Sequence, residues 1–310
     1  MKSLLSKSSR PIFLSTLVLF DVETTGLPSA NFKPEITELC MLASSRFNLE
    51  TATEEPRVEN KLTLCFNPTR TISSIASKIS GLNADNLFHQ KDFDSSAVDL
   101  IQLFLNRLDS PVCLIAHNGL RFDFPLLKAQ IMSVKGKNYN LNDCTNAPII
   151  CTDTLHLFRE FASQLSGTNS DDSGFISTDD QSASPVPISH SSPKKLANTT
   201  TTTTTNKHSF HLADVYERVF GEKHKNAHSA EGDCRAMLRL IQYLGSPAID
   251  WLQSHYQNFN SLAPMYTLPA SNSSRLSLSS SIFPYQRTTQ SYLDSRVDNT
   301  TSLFDDLQLE

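Results

Sequence analysis

The chain has 310 residues, 39% of them hydrophobic, so it is long enough to bury one sizeable core and still carry accessory segments. Its formal net charge of -5 excludes a generally basic nucleic-acid coat, although a local basic patch is compatible with that balance. The six cysteines form no C-x-x-C pair, which argues against a zinc site and favours buried free thiols in a reducing compartment.

The N-terminal segment superficially resembles a secretory signal, because scattered basic residues precede the apolar run PIFLSTLVLF. This run leads directly into Asp21 and Glu23 without a small-residue cleavage site. We therefore interpret residues 1–11 as a flexible leader and Ile12–Phe20 as the first core strand. Since no stretch reaches the roughly 18 apolar residues of a membrane-spanning helix, we expect a soluble, non-secreted protein of the nucleus or cytoplasm.

The stretch LFDVETTGL places two carboxylates, Asp21 and Glu23, at the end of this strand. Side chains alternate faces along a strand, so the two acids should stand side by side. They repel each other unless a positive group lies between them. For this segment alone, an ordinary strand end that meets solvent remains an alternative.

Strand and helix patterns follow along the chain. Further strands are predicted at Ile36–Phe47, Lys61–Phe66, Val112–Ala116 and Ile149–Cys151, and amphipathic segments such as SSAVDLIQLFLNRL separate the later ones. Three leading strands followed by strand–helix alternation predict an α/β fold with a mixed five-stranded sheet flanked by helices.

Two segments have too little clustered apolar surface to offset the entropy of ordering. The first lies at about 163–206 and is rich in Ser, Thr, Asp and Pro, and the second is 270–310. We expect one domain over 12–269, interrupted by a disordered insertion and followed by a disordered tail. The final run SLFDDLQLE is either a partner-binding peptide or a plain chain end.

Two later segments bring further acids to the ends of core elements. In VCLIAHNGLRFDFPLL an apolar strand runs into a turn, and Asp123 falls at the start of the next helix. In NAHSAEGDCRAMLRLIQYL, Ser229 is a good N-cap for a helix that holds Asp233 in its first turns, and His228 precedes it. Taken singly, Asp123 is also explained by helix-terminus electrostatics, and His228 by a solvated loop.

Together these segments provide the carboxylates Asp21, Glu23, Asp123 and Asp233. Oxygen-only ligand sets suit hard cations such as Mg²⁺ and Mn²⁺. Two such ions ~4 Å apart stabilise the attacking and leaving oxygens of phosphodiester cleavage, and His228 would act as general base. Bound cations would explain why the chain tolerates paired acids.

The ordered motifs D-x-E, N-G-x-x-x-D and H-x-A-x-x-D resemble those of the DEDDh class of 3′-to-5′ exonucleases. Within that class, the segments ITELCMLA, ASKISGLNADNL, AHSAEGDC and LAPMYTLPA resemble the three-prime repair exonuclease (TREX) family. The resemblance implies a ribonuclease-H-like fold and degradation of DNA from its 3′ end into nucleoside 5′-monophosphates, in repair or clearance.

The resemblance also implies that the four acids hold two Mg²⁺ ions, for which Mn²⁺ would substitute. It implies that no small-molecule cofactor is needed. It further implies a homodimer that forms by edge-strand pairing around Lys61–Phe66.

The same resemblance implies contacts with single-stranded DNA or frayed DNA 3′ ends. Leu27 and Ile79 match apolar wedges against the terminal bases, although the sequence alone also fits two ordinary core residues. Phe122 stands where the family commonly has Tyr, which removes a hydroxyl near the scissile phosphate. The implied substrate contacts are Glu23, Thr24, Leu27, Ile79, His117, Asn118, Arg121, Phe122 and Asp233.

Two alternative functions remain open at this point. An RNA-trimming exonuclease would use the same acids, because the choice of sugar depends on contacts to the 2′ position that these motifs do not show. A catalytically inactive nucleic-acid-binding protein would be expected to lack at least one catalytic group, whereas the four acids and His228 are all present.

Overall fold

The computed structural model describes residues 12–166 and 209–267, and strands in these ranges form one six-stranded sheet. The strands are β1 (Thr16–Thr24), β2 (Ile36–Ser45), β3 (Asn60–Cys65), β4 (Val112–Ala116), β5 (Ile150–Asp153) and β6 (Gln257–Asn258). Their order across the sheet is β3-β2-β1-β4-β5-β6.

The sheet is mixed. β2 runs antiparallel to both β1 and β3, β4 runs parallel to β1 and β5, and β6 runs antiparallel to β5. This arrangement confirms the predicted mixed sheet flanked by helices. The two-residue strand β6 is an addition to the five predicted strands, and it is too short to give a period-2 pattern in the sequence.

Helices cover both faces of the sheet. They are α1 (Arg46–Thr51), α2 (Ser74–Ser80), α3 (Ala84–Leu87), α4 (Ser95–Asn106), α5 (Asp123–Lys135), α6 (Thr154–Glu160), α7 (Leu212–Phe220), α8 (Ala230–Leu244) and α9 (Ser246–Leu252), and a 3₁₀ turn spans Phe259–Ser261. Side chains of α6 to α9 pack on the face that includes Leu17 and Leu19 of β1, and α4 and α5 pack on the face that includes Val18 and Phe20. Alternate residues of β1 therefore face α8.

Helix α8 begins where the sequence predicts. The Ser229 hydroxyl caps the helix by accepting the backbone N–H of Gly232 at 3.1 Å. A Cβ atom at Gly232 would lie 2.1 Å from the carbonyl oxygen of Asn226, so only glycine lets the preceding loop pack this closely on the first turn. The predicted buried stripe is confirmed at Cys234, Met237, Leu238, Ile241 and Leu244.

The start of the predicted insertion belongs to the folded unit. Leu165 is buried, and its carbonyl accepts a hydrogen bond from Arg218 Nε at 2.8 Å, so Leu165 joins the core beside α7. The rest of the predicted insertion, the predicted leader 1–11 and the predicted tail 270–310 lie outside the described residues.

The cysteines agree only in part with the expectation of buried free thiols. All six cysteines are free, but Cys144 is exposed and Cys65 is half-buried, whereas Cys40, Cys113, Cys151 and Cys234 are buried. Within the part of the chain that the structure describes, no helix has both the length and the apolar character needed to cross a bilayer.

Candidate active site

Strand β1 continues past the end of its parallel neighbour. The last pair between β1 and β4 is Leu19 with Ile115, whereas β1 extends to Thr24 through its pairing with β2. Asp21 and Glu23 therefore lie within the strand, which extends past the predicted end at Phe20. By alternation they share the face of Leu19, on which α8 packs.

Asp233, in the first turn of α8, meets these two acids. Carboxylate oxygens of Asp21, Glu23 and Asp233 all lie within 4.8 Å of one another, and each side chain keeps some exposure to solvent. We call these three residues the acidic cluster. The structure thus brings together acids that are separated by more than two hundred positions in the sequence, as the motifs predicted.

Asp123 approaches the cluster from the other face of the sheet, as the first residue of α5. It is 4% exposed, and the backbone of Val22, which lies beyond the β1–β4 pairing, partly offsets the rise in its pKa. Its negative charge raises the pKa of both Asp21 and Glu23. The fourth predicted acid therefore adjoins the cluster, although it is not one of the three residues whose oxygens lie within 4.8 Å of one another.

The four acids have raised pKa values because burial and mutual repulsion disfavour their charged forms. Burial, followed by repulsion from Asp123, Asp233 and Glu23, raises the pKa of Asp21 well above its usual range. Burial and the charge of Asp233 raise the pKa of Glu23 to about 8. Burial raises the pKa of Asp123 to about 7. Without a cation, the site therefore retains protons near neutral pH.

Two histidines of the loop before α8 lie close to Asp233. His224 is buried, its Nε2 lies 3.4 Å from Asp233 Oδ1, and its ring packs edge-on against Tyr216. His228 is exposed, has a left-handed backbone (φ 63°), and lies close enough to the Asp233 carboxylate to lower the pKa of that acid. Burial raises the pKa of Asp233, while both histidines oppose that shift. The predicted base, His228, thus borders the cluster on its solvent side.

The donor set of the acidic cluster fits a divalent metal ion. Its oxygens converge, and like charges at this spacing are stabilised by a cation between them. Carboxylates without imidazole or thiolate ligands match Mg²⁺ or Mn²⁺ better than Zn²⁺ or copper. Asp21, Glu23 and Asp233 would hold such an ion, with Asp123 beside them.

The turn after β4 is fixed by Asp153, which the sequence interpretation missed. This carboxylate is buried at the end of β5 and accepts the backbone N–H groups of Asn118 (2.8 Å), Leu120 (3.2 Å) and Leu155 (2.9 Å). Asn118 has a left-handed backbone (φ 58°). These bonds fix the path of the chain toward Asp123. The available signal was an aspartate two residues after the predicted strand Ile149–Cys151, in IICTD.

His117, a predicted substrate contact, has both ring nitrogens engaged with protein groups. Nδ1 lies 3.0 Å from the Thr154 hydroxyl, and Nε2 lies 2.9 Å from the Phe210 carbonyl oxygen. Burial lowers the pKa of His117 to about 4, so the ring is neutral, and Nε2 donates to the carbonyl. The structure therefore gives His117 a role in joining β4, α6 and the segment before α7.

The two predicted apolar wedges are on the surface. Leu27 is 78% exposed and Ile79 is 48% exposed, so the alternative that they are core residues is wrong. The loop of Leu27 packs against the start of α2, which carries Ile79, because Ser73 N–H donates to the Thr25 carbonyl at 2.9 Å.

The remaining predicted contacts differ in exposure. Thr24 is buried, and its hydroxyl donates to the Gly26 carbonyl at 3.0 Å. Arg121 is exposed, and Phe122, directly before α5, packs partly against the core. Arg121 and Phe122 therefore offer side-chain surface to a ligand, whereas the Thr24 hydroxyl already has a partner in the protein.

Comparisons with known proteins bear on this site. No protein-family model matches the chain. It is 33% identical over 278 residues to three-prime repair exonuclease 1 of Bos taurus, covering 86% of this chain and 75% of that protein. It is 30% identical over 270 residues to three prime repair exonuclease 2 of Mus musculus, covering 84% of this chain and 97% of that protein. A solved complex of E. coli exonuclease I with single-stranded DNA aligns with a TM-score of 0.48 and 16% identity, covering 77% of this chain and 43% of the other.

Proposed function

The chain belongs to the three-prime repair exonuclease family and is a 3′-to-5′ exonuclease, and we propose that it removes nucleoside 5′-monophosphates from DNA 3′ ends with the help of divalent cations. We further propose that it prefers single-stranded or frayed ends and acts in repair or clearance of DNA. The observation that carries the proposal is the convergence of Asp21, Glu23 and Asp233, whose oxygens lie within 4.8 Å of one another.

The proposed mechanism gives each acid and the adjacent histidine a role. Two Mg²⁺ ions, or Mn²⁺ in their place, would neutralise the carboxylates and polarise the scissile phosphodiester. The acidic cluster and Asp123 would hold these ions. We assign the general base to His228, because it lies close enough to Asp233 to lower the pKa of that acid and because the residue is open to solvent. An imidazole accepts a proton from the attacking water near neutral pH.

We propose that the substrate strand lies across the exposed side chains of Leu27, Ile79 and Arg121. Apolar groups beside a cation suit an unpaired strand, because bases pack on apolar surface and phosphates attract charge. Leu27 and Ile79 have solvent-exposed side chains, and the loop of Leu27 follows the two acids of β1 directly. This arrangement would set the terminal base next to the acidic cluster.

The test is digestion of end-labelled oligonucleotides of matched sequence, as DNA and as RNA and in single- and double-stranded form, with Mg²⁺ or with EDTA. We expect Mg²⁺-dependent shortening of DNA from the 3′ end. His228→Ala should lower the rate by about 10²–10⁴-fold, as expected for loss of a general base. His255→Ala is the matched control, because that histidine lies in the segment that contacts Ile12, at the other end of β1.

Three outcomes would contradict parts of this proposal. Undiminished digestion by His228→Ala would remove the assigned base. Faster shortening of RNA than of DNA would favour the RNA-trimming alternative. Binding of oligonucleotides without any shortening would favour an inactive binding protein.

We also propose a homodimer that forms through β3. In the described part of the sheet, β2 is the single neighbour of β3, so the other edge of β3 is open for pairing. Size-exclusion chromatography with light scattering should give twice the mass of one chain, and a monomer at micromolar concentration would contradict the proposal.

A further inference from the structure

A fifth carboxylate, Glu38, lies beside the acidic cluster. Glu38 on β2 pairs directly with Glu23 on β1 in the antiparallel register, so the two side chains share one face of the sheet. Its charge contributes to the raised pKa values of Glu23 and Asp233. Like charges directly opposite each other on neighbouring strands are destabilising, so a second acid at this position requires a compensating interaction.

That interaction is with the N-terminus of α8. Glu38 Oε2 accepts the backbone N–H of Ala230 at 3.0 Å, across 192 positions of sequence. Ala230 is the first residue of α8 and is fully buried. Its N–H is one of the first four in the helix, which lack intrahelical acceptors and are costly to bury unsatisfied. A carboxylate is also the favoured partner for the positive end of a helix dipole.

The hydrogen bond between Glu38 and Ala230 restrains the whole first turn of α8 as well as the Ala230 amide. Asp233 lies in the first turn of the helix, and its backbone N–H bonds to the Ser229 carbonyl at 3.0 Å. Ser229 N–H in turn bonds to the Asn226 carbonyl at 3.1 Å, which continues the same rigid unit into the loop that carries His228. Any tilt of the first turn of α8 would therefore move the Asp233 carboxylate and His228 together.

We propose that Glu38 is a positioning residue, which anchors the first amide of α8 to β2 and thereby holds Asp233 and the His228 loop against Asp21 and Glu23. The inference rests on the proposed function and concerns geometry, not metal ligation, since Glu38 is not one of the three residues whose oxygens lie within 4.8 Å of one another. Catalytic groups require placement within about 0.5 Å, which a helix end anchored only by its own N-cap does not guarantee.

Two substitutions separate the hydrogen bond from the charge. Glu38→Gln keeps an oxygen that reaches Ala230 N–H but loses the charge, whereas Glu38→Asp keeps the charge on a side chain one methylene shorter. Glu59→Ala is the matched control, because Glu59 also accepts a backbone N–H of β2, from Ser45 at the far end of the strand. The readouts are amide hydrogen exchange over 229–233, Mn²⁺ affinity measured without substrate, and kcat and KM on a single-stranded DNA oligonucleotide.

We expect Glu38→Asp to speed exchange over 229–233 at least tenfold, to weaken Mn²⁺ binding by about 10–100-fold, as for other residues that orient metal ligands, and to lower kcat with little change in KM. Glu38→Gln should stay within about fivefold of the wild type in all three readouts. Glu59→Ala should match the wild type over 229–233 and in catalysis.

The reverse pattern, in which Glu38→Gln loses Mn²⁺ affinity and Glu38→Asp keeps it, would overturn the proposal in favour of a direct electrostatic role. Unchanged exchange over 229–233 in Glu38→Asp would also overturn it. Hydrogen exchange and Mn²⁺ binding do not require turnover. A wild-type protein that fails to digest DNA would therefore contradict the proposed function while these two readouts still decide the role of Glu38.

Discussion

The chain buries carboxylates in two regions whose electrostatic states are opposite. In the loop before β5, burial alone would raise the pKa of Asp143, but hydrogen bonds from Ser110, Thr145 and Ala147 bring it below its usual range. In the acidic cluster, burial and repulsion act in the same direction, and the pKa of Asp21 lies well above its usual range. Burial of an acid therefore does not mark a functional site, whereas burial without compensating donors does.

Asp153 lies between these extremes. Three backbone N–H groups donate to it, yet burial still raises its pKa. Asp153 and Asp143 organise loops, and their donors come from the loops they organise. The acids of the cluster come from β1 and α8, which do not provide enough donors or cations of their own. Burial and mutual repulsion of the cluster acids lower the stability of the folded protein, and a bound cation would restore that stability.

The largest effect is expected from neutralising one acid of the acidic cluster. Asp21→Asn should lower kcat on a DNA oligonucleotide by about 10³-fold or more, because a charged ligand is lost from the reacting centre. The same change should raise the melting temperature of the metal-free protein at pH 8, because repulsion among the acids is relieved. Turnover assays and thermal unfolding in EDTA measure the two effects. A lower melting temperature with retained activity would show that Asp21 is a structural acid like Asp143.

The second prediction concerns the pH dependence of stability. Glu23 has a folded-state pKa of about 8 against a usual value of 4.5, so the folded protein holds a proton that the unfolded chain releases. The contribution of Glu23 to stability is therefore fully present below pH 4.5 and is lost as the pH rises toward 8. Asp123, with a folded-state pKa of about 7, adds to this loss. In EDTA, the melting temperature should fall by roughly 8 °C or more between pH 5 and pH 8.5.

Excess Mg²⁺ should remove most of that fall, because the cation binds the ionised acids of the folded state. Glu23→Gln in EDTA should flatten the curve without any metal. A melting temperature that rises over this pH range in EDTA would contradict the raised pKa values of the cluster.

Much of the site could be predicted from the sequence because its signals are local. The spacing of Asp21 and Glu23 places them on one face of any strand, and Ser229 marks the start of the helix that carries Asp233. Each inference needs only the two-residue period of a strand or the chemistry of a helix cap. The order of the elements then suffices to bring the acids to one edge of the sheet.

The residues that sequence reasoning missed are defined by long-range contacts. Glu38 acts on an amide 192 positions away, and the donors of Asp153 include two in the turn after β4. Leu165 falls in the predicted insertion, whose composition is polar, yet it is fully buried. No periodic pattern encodes such contacts, because they depend on which elements pack together.

The third prediction tests the compensated region. Asp143→Asn should lower the free energy of unfolding by about 1–2 kcal/mol at pH 7, because several donors lose a charged acceptor, while turnover below the melting transition stays at the wild-type level. Chemical denaturation and the oligonucleotide assay measure the two effects. A loss of turnover in folded Asp143→Asn would show that this loop is coupled to the acidic cluster.

The smallest expected effect comes from removing one donor of Asp143. Thr145 donates both its hydroxyl, at 2.7 Å, and its backbone N–H, at 2.9 Å, so Thr145→Val deletes one bond and keeps the other. We expect the free energy of unfolding of Thr145→Val to be lower than that of the wild type by about 0.5–1 kcal/mol at pH 7, as measured by chemical denaturation. Because the pKa of Asp143 lies below the usual 3.8, its charge stabilises the fold above that pH and ceases to do so as the pH falls through the folded value. The difference in unfolding free energy between Thr145→Val and the wild type should therefore shrink in acid, which is opposite in direction to the pH dependence at Glu23. A difference that grows in acid would show that Asp143 is not held ionised by its donors.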